Sequence, residues 1–135
     1  MIQRSPTGLF VQMSDANRME APVRYMLFIY PDHSIQLSAE QRATIPESVG
    51  SWVSEMEARG VRLLGAVLEP ATEAATVRIR DGEVFVENGP AVENDPQISG
   101  FNILDCSDLD EALEVASKHP VATFGTLELR PFADA

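Results

Sequence analysis

Residues Thr76 to Phe101 read TVRIRDGEVFVENGPAVENDPQISGF, and this stretch decides how the rest of the chain is arranged. Two short runs of alternating apolar and polar residues flank Asp81-Gly82, a dipeptide that tolerates the positive φ angles of a two-residue hairpin loop. The stretch therefore predicts a β-hairpin in which Arg80 pairs with Glu83. In that register one face carries only aliphatic side chains, namely Val77, Ile79, Val84 and Val86.

A shaped loop is predicted after the hairpin. Gly89, Pro90 and Pro96 interrupt both strand and helix propagation between Glu87 and Gly100. Backbone of this kind packs poorly in a core but suits a preset lid, so we expect ligand contacts from the segment Asn88–Ile98.

Length and charge limit the classes of function. The chain of 135 residues is long enough for one domain with a real core. Its 21 acidic and 10 basic side chains give a formal net charge of −11, which repels phosphate backbones and anionic lipid surfaces. We therefore predict neither a nucleic-acid nor a membrane partner, and no run of about 18 apolar residues predicts a membrane span.

The N-terminus and the single cysteine indicate the cytoplasm. Cys106 has no second cysteine with which to form an internal disulfide, and the start of the chain lacks the features of a secretory signal. Residues 1–22 are interpreted as an N-terminal extension or arm, whose Leu9-Phe10-Val11 is alternatively an extra edge strand. The domain is predicted to span residues 23–135.

Hydrophobic periodicity predicts four further strands and two helices. The strands cover residues 24–30, 61–68, 101–105 and 124–131. The first helix begins with the capping-box spacing of Ser38 and Gln41, should break or kink at Pro46, and ends at Gly60. The second begins with the same spacing at Ser107 and ends at His119-Pro120.

Each helix carries one apolar stripe that should face the core. Its members are Val49, Trp52, Val53 and Met56 in the first helix, and Leu109, Ala112, Leu113 and Ala116 in the second. Without the hairpin, the element order is βαββαβ, which predicts a ferredoxin-like α+β sheet with both helices on one face and the hairpin as an insertion.

The first strand is apolar on both faces. Tyr25, Leu27 and Ile29 alternate with Met26, Phe28 and Tyr30. Since two helices on one side can cover only one of these faces, we expect a second copy of the chain to cover the other, giving a homodimer.

Eight short segments resemble, in order and spacing, the YCII-related family and specifically its DGPF branch, over about residues 24–132. They are Tyr25–Tyr30, Arg59-Gly60, Thr76–Gly82, Asn88-Gly89-Pro90, Glu93, Gly100-Phe101, Asp108–Ala112 and Glu128–Pro131. The resemblance implies a ferredoxin-like subunit that pairs sheet to sheet in a dimeric α/β barrel.

The loop departs from the pattern of that family. The signature Asp-Gly-Pro-Phe is Asn88-Gly89-Pro90-Ala91 in this chain, and a lysine that usually follows the loop glutamate is Asp95. Some relatives also carry a helix histidine and an aspartate resembling a proton-transfer pair, but neither helix interior here contains a histidine. That pair is therefore not carried over to this chain.

Two residues are candidates for acid–base catalysis. His119 ends a helix, where the helix dipole favours the protonated imidazole, although it is equally a helix terminator. Glu93 follows the Asn-Gly-Pro turn and would act as a base or an anchor if the loop covers a pocket. His33, in the turn after the first strand, is a further polar residue at a sheet edge, where ligands bind.

Four residues are candidates for ligand binding. Arg78, opposite Phe85 in the hairpin, and Arg130 could each bind a carboxylate, or could pair with Glu87 and Glu128 respectively. The other two candidates are Tyr30, at a strand end, and Asn88, in the signature loop. No metal-ligand spacing or cofactor motif is recognised, so neither a metal nor a cofactor is predicted.

Two functions remain open at this point. The first is binding of a small molecule in a cleft between sheet and loop, with acid–base chemistry of an isomerase, lyase or hydrolase type. The second is a non-catalytic binding or accessory module.

Overall fold

A four-stranded antiparallel sheet with two helices on one face forms the body of the protein, and the hairpin forms a second, two-stranded sheet. The computed structural model describes residues 22–133. In chain order the elements are β1 (Val23–Pro31), α1 (Ala39–Ala58), β2 (Arg62–Val67), β3 (Ala75–Arg80), β4 (Glu83–Asn88), β5 (Gly100–Cys106), α2 (Leu109–Ser117) and β6 (Gly125–Pro131), with short 3-10 turns at Ala71–Glu73 and Pro120–Thr123. The edge strand considered for Leu9-Phe10-Val11 lies outside the described residues.

The strand order confirms the fold predicted from the sequence. The larger sheet runs β2-β5-β1-β6, and every neighbouring pair is antiparallel. This is the order of a ferredoxin-like βαββαβ unit. Strands β3 and β4 pair only with each other within the described residues, so the hairpin is an insertion between β2 and β5.

The register of the hairpin is the predicted one. Arg80 pairs with Glu83, and Val77 pairs with Val86 three positions further from the turn. Asp81 has a φ of 52° and Gly82 a φ of 79°, as a two-residue loop of this type requires. The aspartate and glycine therefore set the register, because a shift by one residue would exchange the two faces.

The hydrophobic core lies between the sheet and the two helices. Leu27 on β1 and Leu104 on β5 are fully buried, and they share the core with Trp52 and Met56 of α1. The remaining buried members of the core are Tyr25, Val61, Cys106, Ala112, Val115 and Ala116. The interpretation of Trp52 as a core residue is confirmed, with 3% of its surface exposed.

The opposite face of the sheet is also apolar at its centre and is not covered by either helix. Met26 pairs with Ile103, which in turn pairs with Leu64 on the edge strand β2. Phe28 pairs with Phe101 in the same way. Cross-strand partners point to the same side, so these residues form one continuous surface that we call the open face, defined by Met26, Phe28, Leu64, Ala66, Phe101 and Ile103.

Helix α1 begins and ends as predicted but does not break at Pro46. Ser38 and Gln41 form a reciprocal capping box at its start. At its end, the Val61 amide donates to the Met56 carbonyl and Gly60 has a φ of 72°, which is a Schellman motif. The predicted break is wrong because proline removes only one helical hydrogen bond, while the cap before it and the buried turn after it stabilise the same helix.

Helix α2 begins one residue later than predicted. Asp108, not Ser107, is the N-cap and accepts from the Glu111 amide at 2.8 Å. The Glu111 side chain then accepts from the Ser107 amide, also at 2.8 Å. The backbone amides of Ser107 and Glu111 at the start of the helix are therefore both hydrogen-bonded, to the side chains of Glu111 and Asp108 respectively.

The buried stripe of α2 differs from the predicted one at its first and third members, since Leu109 is exposed and Leu113 is half-buried, and it includes Val115, which was not predicted. The buried residues are Ala112, Val115 and Ala116, whereas Leu109 is 48% exposed. Leu109 is the first residue of the helix and lies at the margin of the buried side, about 60° around the axis from Ala112. The prediction for Leu109 is therefore wrong.

Candidate functional site

A cleft of about 450 Å³ lies between the loop after β1, the first half of α1 and the 3-10 turn that follows α2. Half of its lining residues are apolar, namely Ile35, Leu37, Ile45, Pro120 and Phe124; the other half are polar but neutral, namely Gln36, Gln41, Thr44, Ser48 and Thr123. None of these described lining residues is ionisable, although the chain carries 21 acidic and 10 basic side chains. The volume lies in the range of about 300–1,000 Å³ found for small-molecule sites.

The polar groups of the cleft are already partly oriented by the backbone. The Thr44 hydroxyl donates to the Gln41 carbonyl, and the Thr123 hydroxyl donates to the Pro120 carbonyl, each at 2.8 Å. Each hydroxyl oxygen therefore keeps lone pairs with which to accept a hydrogen bond. The Gln41 carboxamide oxygen accepts from the Ser38 amide at 2.8 Å, which leaves its NH₂ group as the donor.

His119 lies next to the lining residue Pro120 but is buried in the core. It is 3% exposed, and its ring makes an edge contact with Trp52 at 4.6 Å between centroids. The Val121 amide donates to His119 Nδ1 at 3.1 Å, so the imidazole caps the 3-10 turn and carries its proton on Nε2. His119 thus has a structural role that its position before a proline did not reveal.

The predicted protonation of His119 is wrong. Burial lowers the pKa of His119 to about 4, because the charged imidazolium would lose its hydration in the core. At neutral pH the imidazole is neutral.

The stability of the protein should therefore depend on pH through His119. The folded pKa of about 4 lies below the usual 6.5, so the unfolded state binds more protons between these values. The contribution is fully present above pH 6.5 and falls by up to about 3 kcal/mol as the pH approaches 4. Urea unfolding at several pH values should show this loss, and His119→Asn, which keeps an acceptor for Val121, should remove most of it.

A matched histidine provides the control for this prediction. His33 is exposed in the turn after β1, outside the core, so His33→Asn should leave the burial of His119 and the loss of stability that follows from it in place. Equal effects of the two substitutions would contradict the assignment to His119.

Glu93 does not come together with His119. Glu93 is exposed in the loop between β4 and β5, whereas His119 is buried beside α1. Within the described part of the chain, no hydrogen bond or ion pair joins the two side chains. Asn88 is the exposed last residue of β4, opposite Ala75.

The loop between β4 and β5 is held by its own polar groups. Gln97 Nε2 donates to the carbonyls of Val92 and Asn94, each at 2.7 Å. The Ser99 amide donates to the Ile29 carbonyl at 2.8 Å, which ties the end of the loop to β1. The loop therefore has a defined shape without covering the cleft.

The loop also reaches the turn that borders the cleft. Asp95 Oδ1 lies 3.2 Å from His33 Nε2 on the surface. His33 sits in the turn in which the Ile35 amide donates to the Asp32 carbonyl, and Ile35 lines the cleft.

The two candidate arginines form the ion pairs considered as alternatives. Arg78 pairs with Glu87 at 3.3 Å, and Arg130 Nε donates to Glu128 at 3.1 Å. Arg130 also lies 5.3 Å from the centre of the Phe28 ring. Both guanidinium groups are thus already engaged with groups of this chain.

Tyr30 does not line the cleft either and lies near the end of β1, where it pairs with Thr126. The cleft is therefore lined by none of the six candidate residues, which are His119, Glu93, Tyr30, Arg78, Asn88 and Arg130.

One partly buried polar cluster was not predicted. Arg62 Nε donates to Asn102 Oδ1 at 2.7 Å, and Arg62 Nη1 donates to Glu57 at 2.8 Å. Gly65 leaves the room for this contact, because a Cβ there would overlap the Asn102 side chain. The cluster joins the edge strand β2 to β5 and α1, and within residues 22–133 no buried side-chain nitrogen or oxygen lacks a partner.

Cys106 is not a candidate nucleophile. Its side chain is fully buried at the end of β5, and burial raises the pKa of the thiol to about 12. The reactive thiolate is therefore absent at neutral pH.

Residues 22–133 contain neither a group of metal-binding side chains nor a membrane-spanning helix. No three or more histidine, cysteine, aspartate or glutamate side chains are grouped so that they could hold a metal ion. Neither helix has the length and apolar character that a membrane-spanning helix requires.

Comparisons with known proteins place the chain in a family. An uncharacterized protein of Rhizobium meliloti (strain 1021) is 39% identical over 105 residues, which cover 64% of this chain and 85% of the relative. The YCII-related domain model matches residues 23–134, and the chain therefore belongs to the YCII-related family.

Proposed function

We propose that the protein binds a small neutral molecule in the cleft beside α1, as a cytoplasmic binding module. The observation that carries this proposal is the absence of ionisable side chains from the ten described residues that line the cleft, in a chain of net charge −11. A charged ligand would find no counter-charge in this lining for the part of its hydration that it gives up. A neutral ligand would bury apolar surface against Leu37 and Phe124 without that cost.

The oriented polar groups define the ligand more closely. The hydroxyl oxygens of Thr44 and Thr123 remain acceptors, and the Gln41 carboxamide remains a donor. A ligand that matches them carries an O–H or N–H group and a carbonyl on an otherwise apolar body. Because neither His119 nor Glu93 lines the cleft, binding without acid–base chemistry is the function that this site supports best.

A filled cleft should no longer bind. Ser48 lines the cleft from α1, and the adjacent Glu47 does not, although both are exposed. A thermal-shift screen of neutral, anionic and cationic compounds first identifies the neutral compounds that bind. Ser48→Phe should then weaken the binding of these compounds by at least about tenfold. Glu47→Phe should leave their affinity unchanged.

The recovered compound decides between binding and catalysis. We expect the hit to be chemically unchanged after prolonged incubation with the protein. Conversion of the compound by the wild type would favour the catalytic alternative, and hits that are predominantly charged, or that bind Ser48→Phe normally, would contradict the cleft as the site.

We also propose that two copies pair through the open face. The support is physical: Met26, Phe28 and Ile103 form an apolar surface that neither helix covers. Two copies of a chain with net charge −11 repel one another, so a contact between them favours a surface with little acidic charge. The residues that define the open face are all uncharged, and beside them on β6 the carboxylate of Glu128 is paired with Arg130.

A further inference from the structure

The β3–β4 hairpin presents the largest set of exposed aliphatic side chains on one unit of the described chain. Val77 and Ile79 are each 61% exposed, and Val84 and Val86 are 63% and 64% exposed. All four lie on the same face, which we call the aliphatic face. The other face carries Arg78, Arg80, Glu83 and Glu87. The aliphatic face is thus the one that burial would stabilise, and nothing within residues 22–133 covers it.

An isolated two-stranded hairpin is marginally stable in water unless it packs on something. Within the described residues, neither β3 nor β4 pairs with the larger sheet. The two strands are joined to each other at the base of the hairpin, where the Gly89 amide donates to the Ala74 carbonyl at 2.7 Å and the Thr76 hydroxyl donates to the Gly89 carbonyl at 2.8 Å. These bonds extend the pairing of β3 and β4 and leave the aliphatic face free to contact another molecule.

We propose that the aliphatic face of the hairpin packs against a second copy of this chain, as an extension of the interface formed by the open face. This rests on the pairing proposed above. Four aliphatic side chains at three-fifths exposure present roughly 400 Å², about half of the roughly 800 Å² that each partner contributes to a stable dimer. The hairpin alone is too small for that purpose, so in this proposal it adds to the contact made by the open face.

Charge favours a second copy as the occupant. The positions on the aliphatic face, from Ala75 to Ile79 and from Val84 to Asn88 in alternation, are all uncharged. The aliphatic face and the open face are both apolar surfaces of residues 22–133, and a second copy brings the same surfaces without adding an unpaired acidic residue to the contact. An isologous arrangement then buries both surfaces on both subunits.

Two adjacent substitutions test this inference. Val84→Asp places a carboxylate on the aliphatic face, and Phe85→Asp places the same charge on the other face of the same strand. By sedimentation over a range of concentrations, Val84→Asp should raise the dimer dissociation constant by at least about tenfold, since a buried charge would lose its hydration. Phe85→Asp should change it by less than about threefold.

Amide hydrogen exchange gives a second readout. In the wild type, the amides of residues 77–86 should be protected at high protein concentration and lose that protection on dilution below the dissociation constant. Dimers of unchanged strength in Val84→Asp, equal effects of the two aspartates, or protection that does not change on dilution would overturn the role of the hairpin. A wild type that stays monomeric would overturn the pairing as well, whereas loss of ligand binding in the cleft would bear only on the proposed binding function.

Discussion

Replacement of Trp52 by alanine should lower the free energy of unfolding by about 3–5 kcal/mol, as for other buried large aromatic residues. Trp52 is 3% exposed and joins three parts of the fold. It lies on α1, its Nε1 donates to the Val115 carbonyl on α2 at 3.0 Å, and its ring contacts His119. A loss of this size is a large fraction of the stability of about 5–15 kcal/mol of an ordinary domain.

The measurement is urea unfolding followed by circular dichroism, because the variant loses the only tryptophan. Trp52→Phe should cost clearly less, since the Val115 carbonyl keeps the Lys118 amide as a donor. Leu109→Ala is the matched control on α2, and with Leu109 48% exposed it should cost under about 1 kcal/mol. A smaller effect for Trp52→Ala than for Leu109→Ala would contradict the position of the core.

The second large effect concerns assembly. Ile103→Asp should convert a dimer into a monomer with the fold retained. Ile103 lies between Met26 and Leu64 at the centre of the open face, so the substitution would bury a carboxylate in an apolar contact. Light scattering should give about twice 14.8 kDa for the wild type and a single subunit mass for the variant.

Ser51→Asp is the control for Ile103→Asp. It adds the same charge at an exposed position of α1, on the opposite side of the sheet, and should leave the dimer intact. Dimeric Ile103→Asp protein, or a wild type that is monomeric at micromolar concentration, would exclude the open face as the interface.

Local chemistry made much of the fold predictable from the sequence. Asp81-Gly82 restricts the hairpin to one register because few residues adopt two successive positive φ angles. The capping box at Ser38 and the glycine at position 60 define both ends of α1 through hydrogen bonds between near neighbours. Such signals depend on a few adjacent residues and hold in many tertiary contexts.

The errors arose where two local signals compete or where tertiary contacts decide. Ser107 and Asp108 are both good N-caps, and the carboxylate of Asp108 forms the bond. Pro46 does break helices in isolation, but α1 packs on the sheet along its second half and continues. The protonation state of His119 follows from its burial against Trp52, which is distant in sequence.

The cleft could not be predicted from the sequence either. Its lining comes from two distant parts of the chain, residues 35–48 and 120–124, and consists of neutral residues that form no motif. Thr44 and Ser48 are ordinary polar residues of a helix surface until the 3-10 turn at Pro120–Thr123 is placed opposite them. The sequence instead predicted charged site residues such as Glu93 and Arg78, because charged residues can be identified from a sequence and the shape of a neutral surface cannot.

The burial of Cys106 makes the thiol a reporter of unfolding. With no side-chain exposure and a pKa of about 12, it should react with thiol reagents only when β5 separates from the helices. The rate of modification at neutral pH would then measure how often the core opens in the intact protein. A cysteine introduced on the surface would, for the same reason, be labelled selectively without prior removal of the native one.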